Sequence, residues 1–160
     1  MTLPAPSPDR TCLVTGASSG IGAEIAKLLA ARGLGVTLVA RREPKLRALA
    51  QELASKHGIR AEVVVADLTD ESSRSNLVSE VASRELAVNV LVNNAGLSTM
   101  GAVYKGEVAA ELAMVRTDVE AVVHLCTAFL PGMVERRSGA ILNVASTAAF
   151  QPLPGQAGYG

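Results

Sequence analysis

Residues Thr11 to Gly22, Thr-Cys-Leu-Val-Thr-Gly-Ala-Ser-Ser-Gly-Ile-Gly, restrict this chain more than any other stretch. A β-prone run passes straight into three glycines spaced G-x-x-x-G-x-G, and the third glycine opens a periodic helical segment. Strand, tight turn and helix N-terminus therefore share these few residues. Such a turn gathers free backbone N–H groups at the positive end of a helix dipole, and glycine lets a diphosphate come close to the chain. A nucleotide site is the functional reading, and glycines as plain turn punctuation are the alternative. A Walker-type phosphate loop would need Gly-Lys-Ser/Thr, and Gly20-Ile21-Gly22 carries no lysine. A dinucleotide loop needs a strand before it and a helix after it, and both are present.

The rest of the chain alternates strand and helix with little slack. Strands are expected at Thr11 to Thr15, Val36 to Ala40, Glu62 to Ala66, Val88 to Val92 and Ala140 to Ala145. Their continuous apolar runs suit a parallel sheet covered on both faces. Between them, Ile21, Ile25, Leu28 and Leu29 form one helical stripe stopped by Gly33 and Gly35. Leu46, Leu49, Ala50, Leu53 and Ala54 form a second, ended by Gly58, and Leu77, Val78, Val81 and Ala82 a third, behind a first turn rich in acids. Glu107 to Arg116 and Val119 to Val134 read as two helices separated by a break or bend. The second is expected to turn Val119, Val122, Val123, Cys126, Phe129, Leu130 and Met133 inward. The fold class is α/β, a doubly wound parallel sheet of the Rossmann type with five strands in the order 3-2-1-4-5, incomplete at the C-terminus.

A chain of 160 residues with 49% hydrophobic and 19% charged residues fits one globular domain with a sizeable core. Fifteen basic and fifteen acidic residues cancel, so nothing points to nucleic acid or a membrane surface as partner. Met1 to Arg10 holds three prolines and no apolar core of a secretion signal, and is expected to be a short loose lead-in. Cys12 and Cys126 lie far apart without metal-ligand neighbours, so reduced buried thiols and a cytoplasmic location are expected, and no metal site.

Thr15-Gly16-Ala17-Ser18-Ser19-Gly20-Ile21-Gly22 matches, residue for residue, the T-G-x-x-x-G-I-G signature of the short-chain dehydrogenase/reductase family. The chain resembles that family further through Asn93-Asn94-Ala95-Gly96 and through Ser146 and Tyr159, which have twelve residues between them. The resemblance covers essentially the whole chain, and the glycine spacing separates it from the family's extended, epimerase-like branch.

From that resemblance follow the expected roles. Gly16, Ser18, Ser19, Gly20, Ile21 and Gly22 would hold the cofactor's diphosphate. NAD-preferring relatives carry an acid at the end of the second strand to accept from the ribose 2′-hydroxyl. Here Ala40 stands there, followed by Arg41 and Arg42. A guanidinium can grip a 2′-phosphate that an acid would repel, so NADP(H) is favoured over NAD(H), with Arg41 preferred as the gripping residue and simple solvation as the alternative. Asp67 and Leu68 resemble the family's adenine contact, although Asp67 could equally cap the next helix. Asn93, Asn94, Ala95 and Gly96 can both cross-link the central sheet and keep its surface low where the cofactor passes, a structural role being open for one asparagine. Ser146 and Tyr159 would be catalytic: Tyr159 would exchange the hydroxyl proton and Ser146 would hold the substrate oxygen. The resemblance thus implies hydride transfer between a nicotinamide and a carbonyl or alcohol substrate, with a homo-oligomer for the full-length form.

Two departures stand out. The family usually places a catalytic asparagine of its proton relay where this chain has Asp118, and a carboxylate accepts hydrogen bonds but cannot donate them; Asp118 is a catalytic candidate that either alters the relay or is a local variant without great effect. The family's lysine, four residues beyond the tyrosine, falls past Gly160. A free tyrosine has a pKa of about 10, and a nearby ammonium would lower it. The expectation is therefore the single N-terminal, cofactor-binding part of a longer reductase domain. The alternative is a nucleotide-binding or interaction module without turnover. The apolar run Gln151-Pro152-Leu153-Pro154-Gly155 is expected to line one wall of a hydrophobic substrate pocket, and Tyr104 to serve packing or the surface.

Overall fold

The computed structural model describes residues 3–160; Met1 and Thr2, part of the expected lead-in, lie outside the described residues. Five parallel strands make one sheet, β1 (Arg10–Thr15), β2 (Val36–Ala40), β3 (Ala61–Val65), β4 (Ala87–Asn93) and β5 (Ala140–Asn143), in the order β3-β2-β1-β4-β5. The helices are α1 (Gly20–Ala30), α2 (Glu43–His57), α3 (Glu71–Ser83), α4 (Val108–Val115) and α5 (Ala121–Glu135). The Rossmann order is the expected one, and strand bounds differ from expectation by a residue or two. β1 and β4 are the central strands, buried along nearly their whole length, as a sheet covered on both faces requires.

Two apolar layers sandwich the sheet. On one face Cys12, Val14, Val36, Leu38, Val90 and Val92 meet α1 and α2 through Ala26, Leu29, Leu46 and Leu53. On the other, Leu13, Val39, Val64, Val88 and Leu91 meet α3 and α5 through Leu77, Val81, Leu125 and Met133. Burial in the first layer pushes the Cys12 thiol up to about 12, so it stays protonated.

Three helices turn differently from the periodic expectation. In α1 the buried residues are Gly22, Ala26, Leu29 and Ala30, whereas Ile21 and Leu28 are exposed. Small residues with Leu29 bring this helix close to the sheet, and Ile21 and Leu28 point away. In α3, Ala82 is exposed and Arg74 is buried instead. The expected break near residue 117 is a π-helical turn, Arg116–Glu120, that joins α4 to α5 without interruption. A π-turn inserts an extra residue and so rotates the face that follows. Ala121, Leu125 and Met133 face the sheet, while Val119, Val123 and Leu130, expected inward, are exposed. The helical run Val108–Glu135 is long and apolar enough by composition to cross a membrane, yet its inner face packs on β4 and β5.

β5 is an edge strand, with Leu142 and Val144 partly exposed. Beyond it the chain makes a 3₁₀ turn over Thr147–Phe150 and irregular turns to Gly160.

Candidate dinucleotide site

At the carboxyl ends of β1, β2 and β4 lies a groove of about 530 Å3, within the size range of ligand pockets. The glycine turn forms its floor. Gly16 takes a φ of +67° and Gly20 one of +57°, conformations that a side chain disfavours. A Cβ on Gly16 would come 2.9 Å from the Cα of Ala95, and one on Gly22 would come 2.7 Å from the carbonyl oxygen of Gly16. These two glycines let strand, helix and the segment after β4 close on one another. Gly20 differs: a Cβ there would meet nothing within 4 Å, because it faces the open groove. The N-terminus of α1 thus points its unpaired N–H groups at space sized for a ligand.

The segment after β4 is fastened by a threonine that sequence reasoning gave no role. Buried Thr15 donates through its Oγ1 to the carbonyl of Val92 (3.2 Å). The same oxygen accepts from the N–H groups of Asn94 (2.9 Å) and Ala95 (3.0 Å). Asn94 donates from Nδ2 to the carbonyl of Thr15 (2.9 Å), and Asn93 donates to Oδ1 of Asn143 on β5 (2.8 Å). Both asparagines therefore cross-link strands. Only Asn94, with Ala95, Gly96 and Leu97, lines the groove; Asn93 and Gly22 sit behind its wall. The signal for Thr15 was its place at the head of the glycine motif.

Arg42 holds the mouth of the groove. Its Nη2 donates to Oγ of Ser18 (2.8 Å) and of Ser19 (2.6 Å), and its Nε reaches Ser18 at 3.2 Å. Ser19, the N-cap residue of α1, is extended and caps the helix with no side-chain bond, its hydroxyl being engaged by the guanidinium. Both arginines line the groove, the preferred Arg41 lying toward Asp67 and Arg42 clamped to the glycine turn. One guanidinium and two hydroxyls at the end of β2 form a donor set suited to a phosphate.

Asp67 does not cap α3; Asp70 does, accepting from the N–H of Ser73 at 2.6 Å. Asp67 instead closes a turn, its Oδ1 accepting from the N–H (3.0 Å) and hydroxyl (2.8 Å) of Thr69. The Thr69 N–H first, and more weakly Arg41, hold its carboxyl below the ordinary aspartate range. Leu68 lies beside it on the groove wall, and Arg74 supports this wall from within, donating to the Leu68 carbonyl (2.7 Å) and pairing with Glu120 (3.3 Å).

At the other end of the groove, Thr117 of the π-turn lines the wall, unforeseen from sequence. Asp118, next to it, accepts the Leu97 N–H on Oδ1 at 2.9 Å. Burial raises its carboxyl above the ordinary value. Ser146 and Tyr159 lie outside the groove's lining. The Ser146 hydroxyl accepts from the N–H of Ala148 (3.2 Å), Tyr159 is half-buried, and no hydrogen bond joins the two among the described residues. The last turn folds back on the serine's neighbours, since a Cβ on Gly160 would lie 3.4 Å from the carbonyl of Ala148. Tyr104 is exposed under Lys105, and Leu153 is half-buried.

Known proteins share this fold and much of this sequence. An uncharacterized oxidoreductase of Staphylococcus saprophyticus is 35% identical over 143 residues, covering 89% of this chain and 61% of its own length. A short-chain dehydrogenase from Sphingobium yanoikuyae, solved in complex with NADPH, superposes with a TM-score of 0.87 at 35% identity, over 94% of this chain and 58% of that one. A metagenomic short-chain oxidoreductase in complex with NADP superposes with a TM-score of 0.89 at 34% identity, over 94% and 68%. The chain thus spans about 60% of the length of the relative it matches. The sequence model described as short chain dehydrogenase matches residues 10–160. With motif, strand order and relatives in agreement, the chain belongs to the short-chain dehydrogenase/reductase family.

Proposed function

We propose that the groove binds NADP(H) and that this chain is the cofactor-binding part of an oxidoreductase acting on a small carbonyl or alcohol compound. The observation that carries the reading is the Arg42 clamp on Ser18 and Ser19, which sets a fixed cation at the end of β2 where an NAD-type site would have an acid. The residues fit such a ligand: Gly20 leaves the helix N-terminus uncovered, and Asp67 keeps Oδ2 free of hydrogen bonds among the described residues, so that it can accept from an adenine amino group. The solved neighbours that hold NADPH or NADP support this choice.

When bound, a nicotinamide supplies the hydride donor or acceptor. The chain's part would be to orient it and manage the proton. Gly20, Ile21 and their N–H groups would receive the diphosphate; Ala95 and Gly96 would keep the wall low; Tyr159 would exchange the proton of the substrate hydroxyl, and Ser146 would donate a hydrogen bond to the substrate oxygen. The free thiols of Cys12 and Cys126 support a cytoplasmic location as part of this reading.

A second reading, binding without turnover, is favoured by one observation: among the described residues no hydrogen bond joins Ser146 to Tyr159, the Ser146 oxygen accepting from the Ala148 N–H instead. Titration with NADPH and NADH, followed by nicotinamide fluorescence, tests the cofactor. Tight NADPH, weaker NADH and loss of that preference in Arg42→Asp are expected. Equal binding of the two nucleotides would overturn the NADP assignment. Single-turnover oxidation of bound NADPH by a panel of ketones then separates enzyme from module.

A further inference from the structure

We infer that Asp118 selects the oxidation state of the bound nucleotide, its carboxylate favouring the form with a cationic nicotinamide ring over the neutral reduced form. The inference rests on the NADP(H) reading of the groove.

The groove has two chemically different ends. Arg41, Arg42 and Asp67 line one, and Gly96, Leu97 and Thr117 the other. With the 2′-phosphate at the arginines and the adenine at Asp67, the nicotinamide falls to the second. Asp118 stands directly behind that wall. Its Oδ1 accepts the Leu97 N–H at 2.9 Å, and a Cβ on Gly96 would lie 3.6 Å from the same oxygen and 4.0 Å from Oδ2. The π-turn places it there, between buried Thr117 and exposed Val119.

The carboxylate is half-buried and forms no ion pair among the described residues. The charged or titratable groups on its own turn are Arg116 and Glu120, and Glu120 is taken by Arg74 of α3. On the packed helices they are Glu111 of α4 and His124 and Glu135 of α5, while the segment Asn94 to Leu97 has none. A charge in this position, desolvated and lacking a cation, favours any positive group that enters beside it. An oxidised nicotinamide ring carries one positive charge and a reduced ring none; the phosphates are common to both. An asparagine would keep an acceptor for the Leu97 N–H but no charge. Position and charge can therefore be separated by experiment.

The test measures dissociation constants of NADP+ and NADPH for the 160-residue chain and for Asp118→Asn by calorimetry, from neutral pH down to the ordinary aspartate value of 3.8. In the wild type, the preference for NADP+ relative to NADPH should weaken as acid protonates Asp118. In Asp118→Asn, NADP+ should bind about fivefold more weakly with NADPH little changed, and the ratio should no longer depend on pH. Titration of the 2′-phosphate cancels in this ratio. A ratio that is the same in both proteins and flat with pH would overturn the inference while leaving the NADP(H) reading intact; no binding of either nucleotide would overturn both. Independently of ligand, the Leu97 amide resonance should follow a titration in the wild type that Asp118→Asn lacks. A Leu97 amide insensitive to pH in the wild type would remove the contact on which the inference stands.

Discussion

The half of this face around the glycine turn is matched by side-chain hydrogen bonds, whereas the half beyond β5, which carries Ser146 and Tyr159 outside the groove, is held mainly by backbone ones, the Gly101 N–H to the Gly155 carbonyl among them. Around Gly16 to Asp67, hydroxyl, guanidinium and carboxylate groups are matched within the chain: Arg42 to Ser18 and Ser19, Asp67 to Thr69, Thr15 to Val92, Asn94 and Ala95. Around Ser146 to Gly160, β5 is an edge, Phe150 is exposed, and Ser146 meets only a backbone N–H. The contrast teaches where preorganisation lies. Donors already fixed before a ligand arrives lose little freedom on binding, so the first half is built to bind. No comparable side-chain fixing joins Ser146 to Tyr159 among the described residues.

The sharpest way to break the contrast is to fill the joint of the first half. Gly22→Val puts side-chain atoms against the backbone of Gly16, which cannot yield without moving the turn. We expect a loss of about 3 kcal/mol in urea unfolding and no measurable nucleotide binding. If instead the variant binds normally, the close approach of α1 to β1 is not what shapes the groove. Next in size is Asn94→Ala, which leaves the Thr15 carbonyl without its donor and frees one end of the groove wall. About 2 kcal/mol of stability should be lost, read from the same unfolding curves. An equal loss from Ser146→Ala would erase the difference between the halves, because the Ser146 side chain makes one half-buried hydrogen bond among the described residues.

How much of this was legible follows the same divide. The sheet order, α2 with its Gly58 stop, and the glycine turn came from patterns that local sequence encodes: apolar runs, helical spacing and backbone positions open to glycine. The outward turn of Val119, Val123 and Leu130 did not, because an all-round apolar helix has no unique face and the π-turn shifts its phase. Arg74 as a buried tie and Thr15 as a hub were hidden because Glu120 and Val92 are remote in sequence, and the short reach from Arg74 to the Leu68 carbonyl leaves no pattern in the letters. Arg41 and Arg42 could not be ranked by letters alone, since adjacent residues on a loop differ in direction and only the fold fixes which one reaches Ser18.

A smaller effect sharpens the binding half. Arg42→Ala removes the cation and both serine contacts without touching the core, Arg42 being exposed. NADPH affinity should fall about tenfold, with NADH affinity and the unfolding midpoint nearly unchanged. The same variant with NADPH affinity kept and Arg41→Ala with it lost would return the role to Arg41.

The smallest effects are set by pH, and they carry opposite signs at the two ends. Asp67 has its folded carboxyl held below the ordinary value of 3.8, so its contribution to stability is present above that value and is lost as pH falls through the folded one. Asp118 is raised above 3.8 by burial, so its contribution is complete below that value and is lost as pH rises through the raised one. Asp67→Asn should therefore lower the urea midpoint at neutral pH and flatten the loss below pH about 4. Asp118→Asn should raise the midpoint at neutral pH and leave it unchanged in acid, provided the Leu97 N–H keeps an acceptor in the amide oxygen. Both slopes are read from unfolding curves at fixed pH. If Asp118→Asn lowers the midpoint at neutral pH, the carboxylate is compensated in the folded chain, and the groove has no uncompensated charge at that end to offer a cationic ring.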